Sequence, residues 1–221
     1  MNSLSQSDQK LGVEWEAPIY GTWFLVLTLI LVHLTTAAFY VSSSGLSWVD
    51  ALLMERDLTF RVAVGGQYVS KVEMGEWWRL MSSVFLHANA LHLAVNVVAI
   101  VALGRILEPW IGWKHLLFWF LLGGFFASSS SQVFGVLQSD GASGGAYALL
   151  GAAAIIALKS HSHIRQQDRL LLGPLLWMLL GLNLVVSSFI PVVDMVGHVG
   201  GLSVGLGLGF FYRQRVLSVE G

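Results

Sequence analysis

No cysteine occurs in the 221 residues, which excludes a disulfide framework, a thiolate nucleophile and a thiolate metal site. Charge is nearly as scarce. Asp, Glu, Lys and Arg make up 11% of the chain, where a soluble domain carries about a quarter. The shortfall is uneven, with charge-free intervals at Ala17–Val49, Leu80–Gly104, His115–Ser139, Gly141–Leu158, Leu170–Val193 and Met195–Tyr212. Each is long enough for a membrane-spanning helix, which needs about 17–25 apolar residues. With a mean hydropathy of +0.70, the plain expectation is an all-α membrane protein with six spans. The net charge of −1 offers no basic patch for nucleic acid. Met1 to Glu16 lacks the basic region, short apolar run and small-residue cleavage site of a signal peptide, so the first apolar stretch is expected to be retained.

The basic residues set an orientation. Lys10 precedes the first span; Arg105 and Lys114 flank the turn after the second. Lys159, Arg165 and Arg169 follow the fourth, and Arg213 and Arg215 the sixth. The connections around Asp140 and Asp194 hold no Lys or Arg. By the positive-inside rule both termini are cytoplasmic, and Arg56, Arg61, Lys71 and Arg79 fall outside. The expected organisation is a cytoplasmic tail over 1–18, one six-helix domain over 19–215 and a second tail over 216–221. The first helix should run from Ile19 to Val41. A long external segment follows, from Ser42 to about Ala90. Its LSWVDALL stretch and Trp77–Trp78 suit the headgroup layer, where indole rings settle.

In that topology the second, fourth and sixth spans run the same way, from outside to inside. His92 and Asn96 come early in the second, Ser143 at the start of the fourth and His198 at the start of the sixth. At 1.5 Å rise per residue all four lie about 5–10 Å below the outer surface. Polar side chains at such depth are costly and face the bundle interior or a water-filled cavity.

Ser143 lies in Gly141-Ala142-Ser143-Gly144-Gly145, a literal G-x-S-x-G. That elbow has meaning only between a strand and a helix of a soluble sheet, and here a membrane segment follows. Two readings remain: small residues for close helix packing, or a nucleophile at a helix N-terminus. There, unpaired N–H groups and the dipole stabilise developing negative charge. His198 is an interhelical hydrogen-bonding residue or a base. Gly197, Gly201, Gly205 and Gly209 recur every four residues and give its helix a smooth face. The fourth span answers with Gly144, Gly145, Ala146 and Gly151. Such close approach is what a serine needs if a histidine on another helix is to take its proton. Tyr147, one turn below Ser143, packs against the imidazole or simply in the core. His92 and Asn96 share a helical face, bonding each other or donating to an oxyanion.

Other polar residues read as structural. His87 braces the external loop, and His33 in the first span has no nameable partner. His161 and His163 fall among cytoplasmic charges. Asp194, on the same helix as His198, reads as an N-cap rather than a third triad member. Arg79 and Glu108 read as anchors at opposite membrane surfaces. No metal and no cofactor is expected.

Taken together these residues resemble the rhomboid family of intramembrane serine proteases, from Gly75 to about Gly209. The resemblance is carried by Trp78-Arg79, then His87, His92 and Asn96 in FLHANALHLAVN, then Gly104-x-x-x-Glu108. Gly141-Ala142-Ser143-Gly144 follows, with Asp194 and His198 in VDMVGHVGGLSVG. It implies a six-transmembrane-helix rhomboid-like bundle with a long external loop after the first helix. It also implies Ser143 as nucleophile, His198 as general base and acid, His92 and Asn96 as oxyanion donors, and Tyr147, Gly141 and Gly144 as supports. Substrates would be single-span membrane proteins, cut near the outer end of their transmembrane segments. The fifth helix and the connection around Pro191 would form a side gate. The expected home is a bacterial inner membrane. Alternatives are a transpeptidase of the same fold, with an amine replacing water, and a non-catalytic chaperone for membrane helices. A transporter is disfavoured, because no acidic residue lies mid-span to couple ions.

Overall fold

The computed structural model describes residues 18–159, 178 and 194–212. The elements in chain order are α1 (Tyr20–Ser44), α2 (Trp48–Leu53), α3 (Leu58–Ala63), β1 (Gln67–Tyr68), α4 (Val69–Glu73) and α5 (Arg79–Ser82). A 3-10 turn at Ser83–Phe85 leads to α6 (Ala90–Val133), β2 (Gln138–Ser139), α7 (Ser143–Lys159) and α8 (Met195–Phe211). Apart from Met178, the expected fifth span lies outside the described residues, as do Pro191, His161, His163 and most of both tails.

Among the described residues two helices, α1 and α6, are long and apolar enough to cross a membrane; α7 and α8 are shorter apolar helices. α6 is in truth two limbs. Gly112 interrupts it with φ 76° and ψ 157°, a left-handed break that glycine alone adopts cheaply. Pro109 just before it cannot continue the backbone ladder. The Nδ1 of His115 lies 2.8 Å from the Ile111 carbonyl oxygen. Since that oxygen only accepts, Nδ1 carries the proton and closes the end of the first limb. The limbs, 90–111 and 113–133, cover the stretches expected as the second and third spans and meet at this break.

Large apolar side chains face outward along α1, α6 and α8. Phe24, Leu27, Leu31 and Phe39 on α1, Val98 and Phe118 on α6, and Val199 and Phe210 on α8 are each more than half exposed. A soluble protein rarely leaves so much contiguous apolar surface bare, whereas a lipid exterior matches it. The interior holds Leu29, Ile100, Leu103, Leu107, Leu116, Phe120, Leu149 and Leu150, all fully buried.

α7 is the inner helix, packed between the second limb of α6 and α8. Small residues make both contacts. Gly144 meets Ala127, and Gly123 meets Ala148, so α7 and the second limb run antiparallel. Gly201 faces the carbonyl oxygen of Gly144, Gly205 that of Ala148 and Gly209 that of Ala152. Each step of four along α8 is matched by a step of four along α7, so these two run parallel with their N-termini at the same end. A methyl group on Gly201 or Gly205 would occupy the facing carbonyl oxygen. The expected smooth glycine face is therefore present, and it is pressed directly onto backbone.

Three findings depart from the sequence reading. The stretch between α1 and α6 is built of short helices, and its β1 pairs with β2 in a two-stranded antiparallel ladder, Gln67 with Ser139 and Tyr68 with Gln138. The all-α expectation missed this ladder, too short to produce an alternating pattern. α1 runs to Ser44 rather than Val41, ending on Gly45 at φ 72°, a left-handed helix cap. His33 does have a partner. The guanidinium of Arg56, itself buried, lies 3.2 Å from the His33 ring and donates to Thr36 Oγ1 at 2.8 Å. It also donates to the carbonyls of His33, Ala51 and His87.

Glu108 has a specific task. Its carboxylate accepts from the N–H groups of Gly21 and Thr22, both at 2.8 Å, and from the Thr22 hydroxyl at 2.6 Å. It supplies from α6 the anionic cap that α1 lacks in its own sequence. Glu108→Ala is expected to lower stability by about 1–3 kcal/mol, leaving buried donors unpaired. Unfolding in mixed detergent micelles, followed by helical circular dichroism, measures it.

Candidate active site

Ser143 is the first residue of α7, and the helix's first closing bond is Ala146 N–H to the Ala142 carbonyl at 3.0 Å. The N–H groups ahead of it, that of Ser143 included, have no preceding turn to bond with. His198 lies one turn into α8. Its Nε2 sits 2.6 Å from Ser143 Oγ, a full hydrogen bond between residues 55 apart in sequence. The parallel packing described above makes this possible, since it sets the first turns of two helices side by side. With Nε2 unprotonated, the imidazole accepts the serine proton.

Tyr147 holds the ring from one face. The two rings stack with centroids 4.5 Å apart and planes 14° from parallel, so the open choice between core packing and contact with the imidazole resolves to contact. Asp194 caps α8 as its position suggested. Its carboxylate accepts from Gly197 N–H at 2.7 Å and from the Ser131 hydroxyl. Ser131, near the end of α6, was not singled out in the sequence; one serine in the run Ser128–Ser131 carries no distinguishing signal.

Gly141 has φ +127°, and a side chain there would run into the His92 imidazole, 2.9 Å from the Cβ position. Both facts require glycine. His92 thus lies against the peptide two residues before Ser143. Asn96 is buried and donates from Nδ2 to the His92 carbonyl at 2.9 Å. Neither side chain is hydrogen-bonded to Ser143 among the described residues. His92 lies against the loop at Gly141, and Asn96 is tied to the His92 carbonyl one turn further along α6. Gly144 sits between Ala127 on α6 and Gly201 on α8, which explains why no larger residue fits there.

His87 sits nearer the site than a loop brace would. It is buried, and its Nε2 accepts the Ala142 N–H at 3.3 Å, with its ring edge-on to His92 at 5.1 Å. Burial, with His92, His33 and Arg56 close by, holds its pKa well below the usual histidine value. His87 is therefore neutral and remains an acceptor. Among the described residues no group of three or more His, Asp and Glu is arranged to hold a metal ion.

The family model of the Rhomboid domain matches residues 74–215. Rhomboid protease GluP of Bacillus subtilis (strain 168) is 33% identical over 158 residues, 72% of this chain and 29% of that protein. Rhomboid-like protease 2 of Toxoplasma gondii is 28% identical over 217 residues, 96% of this chain and 74% of the relative. RHOMBOID-like protein 5 of Arabidopsis thaliana is 33% identical over 147 residues, 65% of this chain and 47% of the relative. The chain thus spans under a third of the first relative and about half of the third.

The glycine packing generates a prediction. Gly201→Ala must push α8 off the Gly144 carbonyl and so move His198 from Ser143. A displacement of this size costs on the order of 100-fold in a positioned reaction. The rate of Ser143 labelling by a fluorophosphonate should fall accordingly, while Gly207→Ala, where a Cβ meets nothing, leaves it unchanged.

Proposed function

We propose that this chain, which belongs to the rhomboid family of integral membrane proteins, is a serine-type intramembrane endopeptidase working through a Ser143–His198 dyad. The observation that carries this reading is the 2.6 Å contact between Ser143 Oγ and His198 Nε2. Two side chains from separate apolar helices meet there at a helix N-terminus.

Neutral His198 takes the proton of Ser143 as its oxygen attacks the scissile carbonyl, and then gives that proton to the leaving amine. The oxyanion formed in between lies at the start of α7, where the Ser143 N–H and the helix dipole favour negative charge. His92 and Asn96 supply further donors from the Gly141 side. Water then attacks the acyl-enzyme by the same route, giving a proton to His198, which passes it to Ser143 Oγ as the acyl bond breaks. Tyr147 keeps the imidazole plane fixed through the exchange.

The substrates are single-span membrane proteins, cut near the outer end of their transmembrane segments, where a helix opens most readily to expose a peptide bond. Six spans, cytoplasmic termini and a site opening outward complete the reading, with a bacterial inner membrane as its setting.

Ser143→Ala and His198→Ala should each abolish phosphonate labelling and the appearance of truncated single-span proteins in compared membrane proteomes. The pH dependence has a fixed sign: protonated His198 cannot accept from Ser143, so the rate falls on the acid side of its titration. Labelling that does not depend on Ser143 removes the enzymatic reading.

A further inference from the structure

Three residues, Asp140, Gly141 and Ala142, join β2 to the nucleophile, and each is pinned from outside α7. The Gly141 N–H donates to the Ser83 carbonyl at 3.0 Å. The Ala142 N–H donates to His87 Nε2 at 3.3 Å. Asp140 is held through its side chain, only 2% of which is exposed. Its carboxylate accepts from the Gln67 N–H at 3.2 Å and from the Gln138 amide. Its Oδ2 also lies 3.6 Å from Nη1 of Arg61. Gly66 makes the approach possible: a Cβ there would stand 2.7 Å from the Arg61 carbonyl oxygen and 2.8 Å from Asp140 Oδ1. Two of the three pins are neutral hydrogen bonds. The third depends on charge.

We propose that Arg61 and Asp140 form a charge-dependent positioning pair that directs the Gly141–Ser143 backbone, and with it the aim of Ser143 at His198. The inference rests on reading Ser143 as the nucleophile. Asp140 touches no reacting atom and acts only through the loop it anchors. The segment between α1 and α6 thereby becomes part of the machinery that prepares the nucleophile.

The surroundings make the pair sensitive near neutrality. Burial pushes the Asp140 carboxyl up to about 6, against the opposing pull of the Gln138 side chain, Arg61, the Gln67 N–H and Arg79. The charged groups around it are Arg61 on α3 and Arg79 on α5. Glu55 takes the other end of the Arg61 guanidinium at 3.2 Å, and His92 lies beyond Gly141. Proton uptake by Asp140 leaves Arg61 with Glu55 alone and gives Gln67 a weaker acceptor. A raised carboxyl pKa means that the folded chain holds this proton more tightly than the unfolded one. The charge therefore costs stability that is fully present above about pH 6 and fades as pH falls from there towards the ordinary carboxyl value of 3.8. Stability and positioning respond to pH in opposite directions at this residue.

The test follows the rate of Ser143 labelling by an alkyl fluorophosphonate in lipid vesicles, from about pH 5 to about pH 8. It compares wild type, Asp140→Asn and Arg61→Gln. Asp140→Asn is expected to label roughly three- to tenfold more slowly than wild type at the upper end, with the difference closing at the lower end. Titration of His198 enters both rates alike and cancels in their ratio. Arg61→Gln strands the carboxylate, which then takes up its proton more readily, so its rate falls at higher pH than that of wild type. A ratio of Asp140→Asn to wild type that stays constant with pH overturns the inference, and so does an Arg61→Gln profile unshifted from wild type. Should Asp140→Asn fail to fold, the Arg61→Gln shift decides alone. Labelling absent in wild type, or surviving in Ser143→Ala, instead overturns the proteolytic reading, and is seen before any ratio is taken.

Discussion

The bare backbone contact between α7 and α8 is the constraint on which the rest of the molecule depends. In lipid no hydrophobic effect drives helices together, and close packing with weak C–H···O contacts takes its place. Gly201, Gly205 and Gly209 sit directly on the carbonyls of Gly144, Ala148 and Ala152. That packing fixes separation, direction and register at once. A serine on the first turn of one helix then falls within hydrogen-bond reach of a histidine on the first turn of the other. The same small residues on the opposite side of α7 admit the second limb of α6, so the inner helix is gripped from both sides.

Several buried polar groups in this setting serve as ties between elements, crossing long stretches of chain. Glu108 caps α1 from the end of the first limb of α6. Asp194 and Ser131 join the start of α8 to the end of α6. Arg79 donates to the carbonyls of Val62 and Gly66 and pairs with Glu76 at 2.6 Å. An unsatisfied polar group away from water costs enough that each such residue has effectively one acceptable arrangement. Apolar packing gives the bundle its cohesion, and these ties select which bundle forms.

The division between what was legible in the sequence and what was not follows the same line. Charge-free intervals and helical rise are regular properties. They located α1, both limbs of α6, α7 and α8, and they placed Ser143, His198, His92 and Asn96 at one end of the bundle. The glycine spacing on α8 was read directly as a packing face. The segment between α1 and α6 has no such regularity. Arg56 meets His33 from 23 residues away, and Arg61 meets Asp140 across the whole of α6; nothing local announces either pair. His87 read as a loop residue because its acceptor role depends on the peptide of Ala142, fixed only by the tertiary fold. Glu108 was visible as an anchor, but its ligand, the exposed end of another helix, was not.

Arg56 carries a consequence for the order of assembly. Its guanidinium is satisfied by α1 through His33 and Thr36, by α2 through the Ala51 carbonyl, and by the stretch before α6 through His87. Until all three are in place, a cation stripped of water has too few acceptors, and desolvating it is prohibitive. The buried guanidinium therefore ties α1, α2 and the stretch before α6 into one unit, whose parts are expected to seat together rather than piecemeal.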